Sequence, residues 1–306
     1  MSKIAFIYPG QGAQKAGMGA DFYENSEIAR YIFDQAGEEL DLDMKELCFE
    51  ENDRLDLTEY TQAAMVTTCL AMTRVAESKG LKADITAGLS LGEYPAIAAA
   101  GGMNDMDAIR LVRKRGILMQ NTVPAGEGAM CAVISMAAEE IEKVIEPIAD
   151  VSVANYNCPG QIVITGKTDA VEEAAAKLKE AGARRTIMLN VSGPFHSPML
   201  KPAGEELMKE LQEVSLSELK IPYVTNVTAE YVEDPSETKA LLEKQISSSV
   251  RWQQSVENMI RQGVDTFVEI GPGRTLAGFM RKIDRNVKVY NIQTVEDAEK
   301  VCQELK

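Results

Sequence analysis

The sequence predicts an α/β protein: a mostly parallel sheet covered on both faces by helices, with a βαββαβ small domain inserted into it. Three observations carry this expectation. Short strand-like apolar runs alternate with longer helical stretches through most of the chain. Between Gly126 and Gly193 the rhythm tightens to strand, helix, strand, strand, helix, strand, the split βαβ or ferredoxin-like order. Finally, 45% hydrophobic and 26% charged residues over 306 positions is the composition of an ordinary globular chain with enough length for a large core. The division expected is a body from residues 1–125 and 194–306 and a small domain at 126–193.

Lys3 to Tyr8 is a short apolar and aromatic run ending at Pro9-Gly10, a buried strand that enters the glycine-rich loop PGQGAQKAGMG. No Gly-Lys-Ser/Thr follows, and Lys15 stands where the third glycine of a dinucleotide fingerprint belongs, so both nucleotide readings fail on spacing. Thr58 to Ser78 is rich in Ala, Met, Leu and Thr and is closed by Gly80; it reads as a long buried helix. A strand at 83–88 and a helix at 92–100 follow, with Pro95 tolerated in the first helical turn. In the small domain the units are AMCAVIS, AAEEIEKVIEPI, VSVANYN, a CPG turn, QIVITG, DAVEEAAAKLKEAG and RRTIMLNV. The body resumes with a helix at 201–213, a strand at 221–227, helices near 236–246 and 252–262, a strand at 265–270, and Gly271-Pro272-Gly273 turning into a helix.

Composition removes several function classes. A formal charge of −15 argues against general nucleic-acid binding, which needs a basic footprint. The five cysteines, at 48, 69, 131, 158 and 302, form no Cys-x-x-Cys pair and have no histidines to match, so neither a disulfide framework nor a zinc site is expected. The opening MSKIAFIYPG has too short an apolar run for a signal peptide, and no stretch approaches the roughly 18 apolar residues of a membrane span. The expected setting is the cytoplasm, with no membrane partner.

Chemistry concentrates at Gly88-Leu89-Ser90-Leu91-Gly92, between a strand and a helix. Small residues flanking a serine at such a turn let the chain lift the hydroxyl out of the sheet and aim the next N–H at a developing oxyanion. The same pattern also suits a plain turn. A serine hydroxyl needs a base, and His196, in VSGPFHSPML, is the only histidine in the chain. Pro194 and Pro198 are expected to hold its loop extended. A lone histidine is otherwise a hydrogen-bonded packing residue, and no acidic residue stands out to orient it. On a helix over 105–119, Arg115 falls in the middle of an apolar stripe of Ala108, Leu111, Val112, Leu118 and Met119, while Arg113 and Lys114 point elsewhere. An inward arginine requires an anionic partner, either an internal Asp or Glu or the carboxylate of a substrate held by the guanidinium fork. Gln11, at the end of the first strand, is placed to join the Leu91 N–H at the same anion; it also suits a simple connector.

Taken in order, PGQGAQ, GLSLGEY, RLVRKRGILMQ, NYNCPGQIVITG, GPFHSPML and FVEIGPG resemble the malonyl-CoA:acyl carrier protein transacylase family of bacterial fatty acid synthesis across essentially the whole chain. The resemblance implies an α/β-hydrolase-like large domain with a ferredoxin-like small one. It makes Ser90 the acyl-accepting nucleophile, His196 its base, Arg115 the holder of the malonyl carboxylate, and Gln11 with Leu91 the oxyanion hole. Gln245 matches the position whose backbone carbonyl orients the histidine. Many members carry histidine before the serine; here that residue is Leu89, a change in the pocket and not in the base. Phe195 resembles the malonyl-preferring pattern of related polyketide acyltransferases.

The expectation is therefore a two-step, ping-pong transfer of malonyl from malonyl-CoA to the phosphopantetheine thiol of acyl carrier protein, with no metal or tightly held cofactor. Carrier proteins of this kind are acidic, as this chain is, so docking calls for local basic residues: Arg184 and Arg185, or Arg274, Arg281 and Lys282. The rival readings are an acyltransferase of polyketide or malonate-processing pathways, a serine esterase or thioesterase with the same elbow, and a silent carrier-binding subunit. An esterase leaves Arg115 without a ligand, and a silent subunit does not need the Ser90, His196 and Arg115 set.

Overall fold

The computed structural model describes residues 2–191 and 193–305. Ten strands are present among the described residues: β1 (Lys3–Tyr8), β2 (Ile85–Gly88), β3 (Gly128–Ile134), β4 (Val151–Cys158), β5 (Gln161–Lys167), β6 (Arg185–Met188), β7 (Tyr223–Val224), β8 (Tyr231–Val232), β9 (Val264–Ile270) and β10 (Lys288–Ile292). The body is built on one sheet in the order β10-β9-β1-β2-β7-β8, parallel except for the antiparallel edge strand β8.

β1 lies in the middle because both of its faces are apolar; Ala5, Phe6, Ile7 and Tyr8 are all buried. It pairs with β2 from Ala5↔Ile85 to Tyr8↔Gly88, so the two strands end level with each other. From β1 the chain passes to β2 and β7 on one side and later returns to β9 and β10 on the other. The crevice outside the carboxyl ends of such strands, at the reversal of order, is where open α/β sheets bind ligands. The loop after β1 and the turn carrying Ser90 both open there.

The helix Thr58–Ser78 has small and apolar residues on nearly every side and is buried along most of its length, packed against the helix Asp105–Asn121. That second helix buries Ala108, Leu111, Val112, Arg115 and Met119, as the periodicity predicts, while Leu118 is only partly covered.

The small domain is a four-stranded antiparallel sheet in the order β4-β5-β3-β6, the ferredoxin-like arrangement of its βαββαβ sequence. Alternation along β3 sends Cys131 and Val133 toward the helices Ala138–Ile145 and Thr168–Glu180. The opposite set, Met130 and Ala132 with Ala154 and Val163, joins the core of the body. Backbone bonds from Tyr156 N–H to the Val250 carbonyl (2.9 Å) and from Val250 N–H to the Ala154 carbonyl (2.8 Å) tie the two parts together.

Several boundaries differ from the sequence expectation. The strand expected at 221–227 shortens to β7 because the chain turns back, with Thr225 N–H bonded to the Glu230 carbonyl, and sends Asn226 toward Ser90. The strand expected at 184–191 ends at Met188, after which the chain leaves the sheet to line a cleft. The helix expected at 92–100 starts as a 3-10 turn, Ser90–Gly92, and becomes α-helical over Glu93–Ala99. Helices Ala20–Asn25, Glu27–Leu40 and Met44–Phe49, the edge strands β8 and β10, and the helix Val295–Glu304 were not anticipated, although Ser26 and Asp43 are ordinary N-caps. No helix among the described residues is long and apolar enough to cross a membrane.

Candidate active site

Ser90 sits at the strand-to-helix turn with φ 52°, in the left-handed region that non-glycine residues seldom occupy. Such a conformation persists only where the surroundings hold it. Its N–H donates to Asn226 Oδ1 at 2.6 Å, and Asn226 Nδ2 donates to the Gly88 carbonyl at 2.7 Å, so one side chain braces both ends of the turn. The flanking glycines are a steric requirement. A Cβ on Gly88 would overlap the Gly92 carbonyl, and one on Gly92 would overlap the Tyr8 carbonyl.

His196 Nε2 lies 2.7 Å from Ser90 Oγ, and His196 Nδ1 lies 2.9 Å from the Gln245 backbone carbonyl. A carbonyl only accepts, so Nδ1 carries the proton and Nε2 is left to accept from the serine hydroxyl. The expectation of an extended loop does not hold at this residue: His196 has φ 61° and lies in a tight turn closed by Ser197 N–H to the Pro194 carbonyl at 3.2 Å. The prolines stiffen the flanks, and the turn swings the ring inward. Burial, aided by the positive charge of Arg115, pushes the imidazole pKa down to about 4, so the ring is neutral at pH 7.

Arg115 is 1% exposed, and its helix aims it at the same point. Its Nη1 donates to Gln62 Oε1 at 2.9 Å, and its Nη2 donates to Gln245 Oε1 at 3.1 Å and to Ser90 Oγ at 3.2 Å. The Tyr94 ring lies 5.6 Å from the guanidinium carbon. Its neighbours behave differently: Arg113 reaches Glu59 at 2.8 Å and Lys114 reaches Glu210 at 3.7 Å. Arg115 itself has no ion pair among the described residues. Among the described residues its direct contacts are neutral oxygens, and the buried Glu93 carboxyl acts on its charge without a hydrogen bond to it.

These groups line one cleft of about 680 Å³ between the body and the small domain. Gln11, Ser90, Arg115 and His196 face it from the body, and Asn155, Asn157 and Gln161 from the small domain. Gln11 donates through Nε2 to Thr58 Oγ1 at 3.0 Å. Leu91 follows Ser90 in the 3-10 turn with its side chain buried, and the first N–H groups of a helical turn lack an intrahelical acceptor. Leu89 forms an apolar part of the wall, against which Gly10 packs so closely that a Cβ there would stand 2.8 Å from both its carbonyl oxygen and a side-chain methyl. Arg184 and Arg185 lie apart from the cleft, exposed at the start of edge strand β6. Arg274, Arg281 and Lys282 are exposed on or beside the helix Thr275–Ile283, whose Thr275, Leu276 and Phe279 reach the cleft.

Sequence reasoning did not single out Gln62, Glu93 or Asn226. Two of them carried a signal: Gln62 is a polar residue inside an otherwise buried helix, and Glu93 opens an apolar one. Asn226 lies in a loop and had none. Glu93 is fully buried and accepts at Oε2 from Gln245 Nε2 (2.7 Å) and Asn226 N–H (3.1 Å); burial pushes its carboxyl pKa up to about 7.

The family model described as the acyl transferase domain matches residues 5–300. The chain is 43% identical over 311 aligned residues to the malonyl CoA-acyl carrier protein transacylase of Bacillus subtilis, covering 100% of this chain and 98% of that one. It is 41% identical to the protein of that name from Staphylococcus aureus, over 97% of each chain. The crystal structure of the malonyl CoA-acyl carrier protein transacylase from Clostridium perfringens superposes with a TM-score of 0.95 at 42% identity, covering 99% of this chain and 97% of that one. A malonyl-transacylase solved in complex with its type II PKS acyl-carrier protein superposes with a TM-score of 0.96 at 35% identity, covering 99% of this chain and 100% of that one.

Proposed function

We propose, because the chain belongs to the acyl transferase family, that it moves a malonyl group from malonyl-CoA to the phosphopantetheine thiol of acyl carrier protein through a malonyl-serine intermediate. The observation that carries the reading is Arg115, a buried guanidinium beside Ser90 that no carboxylate contacts among the described residues. A buried charge without a counterion in contact is costly, so the site is matched to an acyl group that brings one.

Malonyl-CoA enters with its free carboxylate on Arg115 and its thioester carbonyl over Ser90. The neutral His196 takes the Ser90 proton at Nε2 as Oγ attacks the carbonyl carbon. Its new positive charge is met by the Gln245 carbonyl at Nδ1, which takes the place of a triad acid. Gln11 and the Leu91 N–H stabilise the oxyanion. As the tetrahedral intermediate collapses, the C–S bond breaks and His196 returns the proton to the departing thiolate. The carrier's thiol then gives its proton to His196 and attacks the acyl-serine, and the serine oxygen leaves with that proton. For an acidic carrier the docking residues are Arg184 and Arg185, exposed and free of ion pairs among the described residues, with Arg274, Arg281 and Lys282, exposed on or beside the helix Thr275–Ile283, as the alternative.

The test is to load the enzyme with malonyl-CoA, remove free coenzyme, and follow the acyl group with and without phosphopantetheinylated carrier. Rapid transfer to the carrier and slow loss to water is the expected result. Loss to water that outpaces transfer would make the protein a thioesterase.

A further inference from the structure

Glu93 takes no part in the proton transfers above, yet it is a fully buried acid one turn from the nucleophile. What it touches is the side chain of Gln245, whose backbone carbonyl has already been placed on His196. A glutamine amide has two different ends, and only its neighbours decide which end points where. Around Nε2 stand three acceptors: Glu93 Oε2 at 2.7 Å, the Ser90 carbonyl at 2.9 Å and Asn226 Oδ1 at 3.3 Å. At the other end, Oε1 accepts from Arg115 Nη2 at 3.1 Å. Turned over, the amide would set its oxygen against the carboxyl and its NH2 against a guanidinium, which is unfavourable at both ends.

We infer that Glu93 is a positioning residue for malonyl selection: by accepting from Gln245 Nε2 it holds the amide so that Oε1 faces Arg115 and fixes the guanidinium for the substrate carboxylate. The acceptor survives protonation of the acid. Oε1 of Glu93 makes no hydrogen bond among the described residues, so a proton taken up there leaves Oε2 available to Gln245. This inference rests on the malonyl-transfer reading, and it separates two uses of Gln245. The backbone carbonyl serves His196 with any acyl donor, whereas the side chain braces the Ser90 carbonyl with any donor and, through Arg115, bears in addition on a donor with a carboxylate.

The readout is therefore the ratio of single-turnover acylation rates with malonyl-CoA and acetyl-CoA, which a general loosening of the site lowers in common and does not change. Glu93→Leu removes the shortest of the three acceptors and should lower the malonyl-to-acetyl ratio about tenfold, the scale of a hydrogen bond to a charged group. Glu93→Gln, whose amide oxygen can accept the same bond, should restore the ratio to within about threefold of wild type, a difference of less than one such bond. If Glu93→Leu does not fold, Gln245→Met breaks the same link while keeping the backbone carbonyl, and it should lower the ratio equally. An unchanged ratio in Glu93→Leu or Gln245→Met overturns the inference, as does an equal loss in the Leu and Gln variants of Glu93. Failure of the wild-type protein to form a malonyl adduct would remove the underlying reading, and the inference with it.

Discussion

Replacing Arg115 with methionine keeps most of the side-chain length and removes the fork, so it isolates what the guanidinium contributes. In the wild-type protein three groups lean on that fork: Gln62 Oε1, Gln245 Oε1 and Ser90 Oγ. Losing it strands two buried amide oxygens, at a cost of about 1–3 kcal/mol each, partly offset by no longer burying a guanidinium that no carboxylate contacts among the described residues. Stability should therefore fall by only about 1–4 kcal/mol, within what a large domain tolerates. The effect on malonyl is larger in relative terms. A bidentate, charge-assisted contact to the substrate carboxylate is worth at least about 3 kcal/mol, so kcat/KM for malonyl-CoA should drop by about 10² or more. Acetyl-CoA has no carboxylate and should lose less than about tenfold, an amount under 1.4 kcal/mol. Rapid-quench measurement of acyl-enzyme formation from each donor reads this directly. Equal losses with both donors would refute the assignment and return Arg115 to a structural role.

The remaining predictions concern the base, the elbow and the carrier. With its imidazole held near pH 4, His196 stays neutral well below the usual range, so acylation should remain flat from pH 7 to about 5 and decline only as pH approaches 4. The same depression makes the unfolded chain bind the proton first, so the His196 contribution to stability is full above about pH 6.5 and is lost between there and 4, by about 3 kcal/mol, while Glu93, raised to about 7, contributes with the opposite sign as pH rises. The stability difference between wild type and His196→Ala, read from urea midpoints, isolates the histidine and should change by about that amount across the window; a difference that does not vary with pH contradicts the depressed value. Gly88→Ala forces a Cβ into the Gly92 carbonyl and should give insoluble or inactive protein, whereas normal yield and normal acylation would show that the turn relaxes. Reversing charge at Arg184 and Arg185 should raise KM for the carrier several-fold without altering acylation by malonyl-CoA, an effect that shrinks at high salt. An unchanged KM moves the docking face to Arg274 and its neighbours.

The parts of the site legible in the sequence were those whose signal is local. Glycines around Ser90 mark a tight turn, helical periodicity turns Arg115 inward, and a unique histidine needs no search. The split βαβ order was legible for the same reason, because each unit announces itself by its period. What escaped depends on contacts across the fold. Asn226 meets Ser90 from 136 positions away, and Gln245 meets Glu93 from 152, with no periodicity to connect them. The helices between Ala20 and Phe49 escaped because Gly37 and the loop-like DLD at 41–43 break an otherwise amphipathic pattern. Strand lengths at 184–191 and 221–227 were overestimated since β-favouring residues continue past the last paired one. There the chain leaves the sheet to build the cleft, a tertiary demand that overrides propensity.

The central claim is that Ser90 carries the malonyl group between two thiols. Incubating the protein with malonyl-CoA in the absence of carrier, quenching in acid, and mapping peptides by mass spectrometry tests it most directly. A malonyl ester on the peptide containing Ser90, missing in Ser90→Ala and discharged when phosphopantetheinylated carrier is added before the quench, is the predicted result. No adduct, or an adduct on another residue that survives in Ser90→Ala, would contradict it.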